Sequence, residues 1–95
     1  MNKINFEWDP EKDKINRRKH KISFVLAQHA FLDKNRVIAR DLKHSGAESR
    51  YFCFGQIRDG VLTACFTFRV NTIRIISAGY WRKGKVSYEK ENKIH

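Results

Sequence analysis

The dipeptide Asp59-Gly60, set between two runs of alternating apolar and polar residues, constrains this chain more than any other feature. Arg50 to Ile57 and Val61 to Val70 are rich in Phe, Thr, Val and Cys. Asp-Gly between such runs is a strong short-range hairpin signal. Thr72 to Ala78 is a further β-branched run after a tight turn at Val70-Asn71, and Arg36 to Asp41 reads as another strand before a polar loop, Lys43 to Ala47. Upstream the period is helical. Asp9-Pro10-Glu11 is a helix start, with Asp as N-cap, Pro at the first helical position and an acid in the first turn. That helix is expected to end near His20-Lys21, and a second begins at Ser23, with Phe24, Ala27, Gln28 and Phe31 at helical spacing. Ile4 to Trp8 reads as a short strand; Gly79 and Gly84 break the regularity, and Ser87 to Ile94 reads as a short terminal helix. The expected order is β-α-α-β-β-β-β-α. This is an α+β domain with a small, mostly antiparallel sheet, two N-terminal helices on one face and a short C-terminal helix. Ninety-five residues leave room for one such domain, spanning 1–95.

The hairpins say which side chains share a face. With Asp59-Gly60 as a two-residue turn, Arg58 pairs with Val61 and Arg50 lies opposite Arg69. One face then carries Arg50, Thr63, Thr67, Arg69, Thr72 and Arg74. The other carries Tyr51, Cys53, Leu62, Ala64, Phe66, Phe68, Ile73 and Ile75, an apolar layer for the helices to cover. A bulge or an odd-length loop would invert this parity. Three arginines on one face repel each other. Either each reaches its own carboxylate, such as Glu7, Asp33, Asp41 or Glu48, or the face awaits phosphate, which guanidinium groups grip bidentately. Phe52 and Phe54 share that face, to stack on unpaired bases or to pack beneath the terminal segment.

Charge supports the second alternative. Twenty Lys and Arg against ten Asp and Glu give +10, which suits a polyanionic or acidic partner, nucleic acid foremost. No apolar run approaches the roughly 18 residues of a membrane span, and Met1 to Trp8 has no apolar signal core. A soluble, cytoplasmic domain is expected. Cys53 and Cys65 lack metal-site spacing, fall on opposite faces, and read as reduced strand residues; the four His are scattered, so neither a metal nor another cofactor is expected.

Phe6-Glu7-Trp8-Asp9, followed by Lys12, Asn16, Lys19-His20, Ile22 and Phe24, resembles the opening signature of the BrnT family of bacterial toxins. Arg50, Gly55, Leu62, Phe66-Thr67, Arg69 and Arg74-Ile75-Ile76-Ser77-Ala78 are similar to its later signature. The resemblance implies a RelE-like ribonuclease that blocks translation and growth, held in a hetero-oligomer by a ribbon-helix-helix antitoxin, BrnA. Many family members carry Arg after the Ser-Ala pair and a Glu-containing basic helix beyond it. This chain has Gly79-Tyr80-Trp81-Arg82-Lys83-Gly84-Lys85, so any catalytic role of those groups is vacant or passes to Arg82, Lys83 or Tyr88.

Metal-independent RNA cleavage by the 2′-hydroxyl needs a base, cations around the phosphorane and an acid for the 5′-oxygen. Arg69 and Arg74 are the expected phosphate clamps, with Arg50 a third. His20, Glu48 and Tyr88 are the candidates for proton transfer. Each has a plainer role: His20 at the helix C-terminus, Glu48 as ion-pair partner of Arg50, Tyr88 as anchor of the last helix. Lys12 and Lys19, at i and i+7, face RNA backbone or merely solvent, as do Arg82 and Lys83. A non-catalytic basic module that binds nucleic acid or an acidic protein is the alternative, since Arg and Lys serve both.

Overall fold

The computed structural model describes residues 4–93; Ile94, placed by the sequence reading in the last helix, lies outside them. Five strands form one mixed sheet, β1 (Asn5–Trp8), β2 (Val37–Asp41), β3 (Arg50–Ile57), β4 (Gly60–Arg69) and β5 (Thr72–Gly79), in the order β1-β5-β4-β3-β2. The pairings are antiparallel except β1 with β5, which is parallel. Helix α1 spans Pro10–His20, α2 spans Phe24–Ala27 and runs into a 3₁₀ turn, Gln28–Leu32, and α3 spans Arg82–Glu91.

Local chemistry sets the helix ends. Asp9 caps α1 by accepting from the Glu11 amide at 2.9 Å, and Lys21, at φ 61°, closes it by donating to the Arg17 carbonyl. Ser23 caps α2 at the Leu26 amide. Helix α1 is largely polar; Asn16 is what fastens it to the sheet. Buried, its amide donates to the carbonyls of Ile22 and Ala78 and accepts from the Ala78 amide, at 2.8–3.1 Å. The 3₁₀ turn lies so close to β3 that a Cβ on Gly55 would stand 2.2 Å from the Ala30 carbonyl oxygen, so only glycine fits there.

The strands keep the expected parity, with two displacements. The first hairpin turns at Arg58-Asp59, pairing Ile57 with Gly60, because Arg58 takes the left-handed conformation (φ 55°) and Gly60 joins the strand. Gly60 spends its missing side chain on the ring of Tyr80, 2.9 Å from where a Cβ would lie. The register therefore slips by two residues, leaving faces unchanged but bringing Arg50 level with Thr67 instead of Arg69. The second hairpin turns at Val70-Asn71, both with positive φ, and pairs Arg69 with Thr72. Between Cys65 and Phe66 the β4–β5 ladder then slips by one: Phe66 faces Ile75 but Cys65 faces Ser77, and Ile76 is the extra residue of a β-bulge.

One sheet face holds the core. Phe24 and Ala27 of α2 and Ala30 of the 3₁₀ turn pack there on Cys53, Leu62, Ala64, Phe66, Ile73, Ile75 and Ala78. Phe68 shares that face but is 50% exposed, against expectation. It sits beside the Val70-Asn71 turn, in a shallow groove with Ile4, Leu32 and Ile38. Cys53 points into the core and Cys65 to the opposite face, and both are free.

Helix α3 covers part of that opposite face. It begins five residues before the expected Ser87, and Gly84 lies inside it instead of ending it. A Cβ there would collide with the Thr63 hydroxyl and stand 2.9 Å from the Phe54 ring, so glycine lets the helix sit directly on β3 and β4. Phe54, Val61 and Tyr88 form a small second core beneath it, flanked by Phe52 and the Val37 and Ala39 side chains of β2.

Candidate active site

Helix α3 leaves the other half of this face open, and a cleft of about 300 Å³ lies there. Arg50 enters it from the start of β3, Thr67 from β4 and Arg74 from β5; Lys12 reaches in from α1, and His44 and Glu48 from the loop joining β2 to β3. Thr67 and Arg74 are cross-strand partners, and Arg69 lies two residues further along the same face of β4.

Both readings of the arginines have a part in this geometry. Arg69 Nε lies 2.6 Å from Glu48 Oε2, and Arg74 Nη1 lies 3.0 Å from Glu7 Oε2. Glu48 is thus the partner of Arg69 and not of Arg50, because the hairpin slip withdraws Arg50 from Arg69. Among the described residues Arg50 makes no ion pair. All four paired side chains keep 38–60% of their surface in water, and ion pairs so exposed contribute little and exchange readily for another anion. Lys12, Arg50, Arg69 and Arg74 outnumber Glu7 and Glu48, so the cleft has positive charge to spare for a phosphodiester.

Two carboxylates are held ionised. The Arg69 hydrogen bond holds Glu48 below the usual carboxylate range; partial burial opposes it, while the Arg69 and Arg74 charges assist. The Thr67 hydroxyl adds to the effect without reaching full hydrogen-bond geometry, and it is buried with no other partner among the described residues. Burial pushes Asp41 up, but hydrogen bonds from the His44 ring and from the His44 and Lys43 amides outweigh it and leave the group below its ordinary value.

The loop is wound around Asp41. One carboxylate oxygen accepts from the amides of Lys43 (3.1 Å) and His44 (3.2 Å), and the other lies 3.0 Å from His44 Nδ1. Ser45 completes the winding, donating to the Asp41 carbonyl and accepting from the Arg50 amide. His44 is thereby held at Nδ1, its side chain 63% exposed. Sequence reasoning passed over it as part of a polar loop. Asp-x-x-His at a strand end is the available signal, since an Asp there accepts from the amides that follow.

The remaining candidates lie elsewhere. His20 ends α1 with its ring edge-on to Trp81, centroids 5.2 Å apart, outside the cleft. Lys19 is exposed on the same helix, and Arg82 is exposed in the first turn of α3. Lys83 lines a separate groove with Phe52, Phe54 and Trp81. The Trp81 indole lies over Gly79, 2.6 Å from where a Cβ would be, so Gly79 and Trp81 are one coupled feature and an arginine at 79 would expel the indole. Tyr88 is buried, and its hydroxyl donates to Asp33 Oδ2 at 2.6 Å; burial first, and then Asp33, push the phenol up to about 12. That is an anchor's geometry, outside the cleft. Tyr88→Phe should lower stability by about 1.5 kcal/mol, the low end for a bond to a charged group because Asp33 is partly wetted. RNA cleavage at a temperature where the variant is folded should be unchanged; a cleavage defect there would return Tyr88 to the catalytic cast.

Among the described residues no three His, Cys, Asp or Glu side chains come together as a metal ion would require. No helix among the described residues is long and apolar enough to cross a membrane. The model of a protein family described as "Ribonuclease toxin, BrnT, of type II toxin-antitoxin system" matches residues 8–84, which takes in every cleft residue. No curated protein matches the chain.

Proposed function

The chain belongs to the BrnT family of ribonuclease toxins of type II toxin–antitoxin systems, and from that premise we propose that it cuts RNA in the cleft between α1, β5 and the β2–β3 loop. The observation that carries this is the convergence of Arg50, Arg74 and Glu48 on one open, positively charged hollow. In this reading Arg74 and Arg50 hold the scissile phosphate, and Arg69 keeps Glu48 ionised and aimed. Glu48 takes the proton of the 2′-hydroxyl as that oxygen attacks phosphorus. Lys12 holds the backbone of the neighbouring nucleotide, and the guanidinium groups stabilise the charge that builds on the phosphorane. No metal takes part. The two-faced sheet supports the RelE-like architecture that the family resemblance implies, and the site of action in this reading is the cytoplasm.

We further propose that the antitoxin is a ribbon-helix-helix protein of the BrnA kind, covering the arginine face with an acidic and apolar segment. Complementary charge then governs encounter, so the association rate should fall steeply with added salt while dissociation changes little. A complex that leaves the cleft open, yet abolishes activity, would refute direct blocking. The test of the function itself is induced expression in bacteria, scored for growth arrest and RNA decay, with and without the neighbouring antitoxin gene. Growth arrest without RNA cleavage would turn the reading toward a non-catalytic binder.

A further inference from the structure

The cleavage just proposed needs a proton at the departing 5′-oxygen, and none of the donors expected from the sequence stands in the cleft except Glu48, which serves as base. His20 is engaged with Trp81, and Tyr88 is buried against Asp33. We infer that His44 is the general acid, a catalytic residue aligned by the positioning residue Asp41.

Three observations carry this assignment. His44 lines the same cleft as Lys12, Glu48, Arg50 and Arg74. Its ring is held at one nitrogen, since Nδ1 meets a carboxylate oxygen of the buried Asp41 at 3.0 Å, and the side chain is otherwise largely exposed. The carboxylate that holds the ring is itself held by the Lys43 and His44 amides, so the backbone sets the orientation of the imidazole. Each proton-transfer group then has its own partner: Glu48 lies against Arg69, and His44 lies against Asp41.

The step balances without a co-reactant. The 2′-oxygen forms its bond to phosphorus as the P–O5′ bond breaks. The 2′ proton passes to Glu48 and the Nε2 proton of His44 passes to O5′, giving a 2′,3′-cyclic phosphate and a 5′-hydroxyl. Solvent returns Glu48 and His44 to their starting protonation states.

The inference rests on the cleft being the reaction site, so the experiment separates the two. The probe is a synthetic RNA oligonucleotide cut by the parent protein, alongside the same oligonucleotide with sulfur replacing O5′ at the cut, a leaving group that needs no proton. His44→Ala should cut ordinary RNA about 10²–10⁴-fold more slowly, and most of that loss should vanish on the sulfur-substituted strand. Glu48→Gln should be slow on both. Asp41→Asn retains an acceptor for the loop amides but loses the charge. Its slowing on ordinary RNA should likewise shrink on the sulfur-substituted strand, a readout that a merely structural role of Asp41 would not move. If His44→Ala unfolds, His44→Asn, which can still bond Asp41, takes its place. Equal slowing of His44→Ala on both substrates, or full activity on ordinary RNA, overturns the acid assignment alone. Full activity of both Arg74→Ala and Glu48→Gln overturns the cleft reading itself.

Discussion

Arg74→Ala should cut RNA about 10²–10³-fold more slowly than the parent and should no longer arrest growth, while remaining folded and able to bind its antitoxin. The side chain sits on β5 between Ile73 and Ile75, which point to the core, so its truncation leaves the packing alone. Its pair with Glu7 is half exposed on both sides, and losing such a pair costs about 1 kcal/mol or less. Removing one unit from a net charge of +10 weakens RNA binding only in the general electrostatic manner. Most of the loss must therefore appear in the chemical step. Arg69→Ala should be impaired for another reason, through Glu48, whose carboxyl loses the hydrogen bond that holds it low. Lys43 contributes to the loop through its backbone, so Lys43→Ala is the silent control. Single-turnover cleavage, a melting curve and an antitoxin pull-down decide the matter. Two folded and fully toxic arginine variants would make these residues structural.

The largest expected effect on stability belongs to Phe66. It is 5% exposed, with the Phe31 ring edge-on at 5.1 Å and the Tyr51 ring stacked at 5.6 Å. Phe66→Ala removes a ring from the junction of the 3₁₀ turn with the two central strands, and buried Phe→Ala changes cost about 3–5 kcal/mol. Domains of this size are stable by roughly 5–15 kcal/mol, so the variant should be marginal at 37 °C. Urea titration of both proteins measures the difference. A loss below about 1 kcal/mol would mean that the core does not depend on this ring.

Most of the fold is written in periodicity. Alternation in β3, β4 and the first half of β5 announces which side chains meet, and a two-residue error in the first hairpin does no harm because alternation repeats every two residues. Exposure at the ends is less legible. Phe68 has the right parity for the core yet half-escapes it, because burial depends on how far a helix reaches across the sheet and not on the strand's own pattern. Gly84 looked like a helix breaker because propensity disfavours glycine, but contact with Thr63 and Phe54 decides. Of the site, the arginines were legible, since parity groups residues on strands. His44 was not. It belongs to a loop whose shape is set by hydrogen bonds to Asp41 and Ser45, and no periodicity reports where a loop aims a ring.

The extra residue at Ile76 makes β5 two short strands placed end to end. Before it, Arg74 looks into the cleft and Ile75 into the core; after it, Ser77 looks outward and Ala78 inward, where Asn16 grips its backbone. Without the bulge Arg74 and Ala78, both even-numbered, would share a side, and the strand would have to give up either its cation or its bolt to α1. One inserted residue thus acts as a frameshift in side-chain alternation. It lets RNA chemistry dictate one end of the strand while helix docking dictates the other, so neither end need follow when the other drifts.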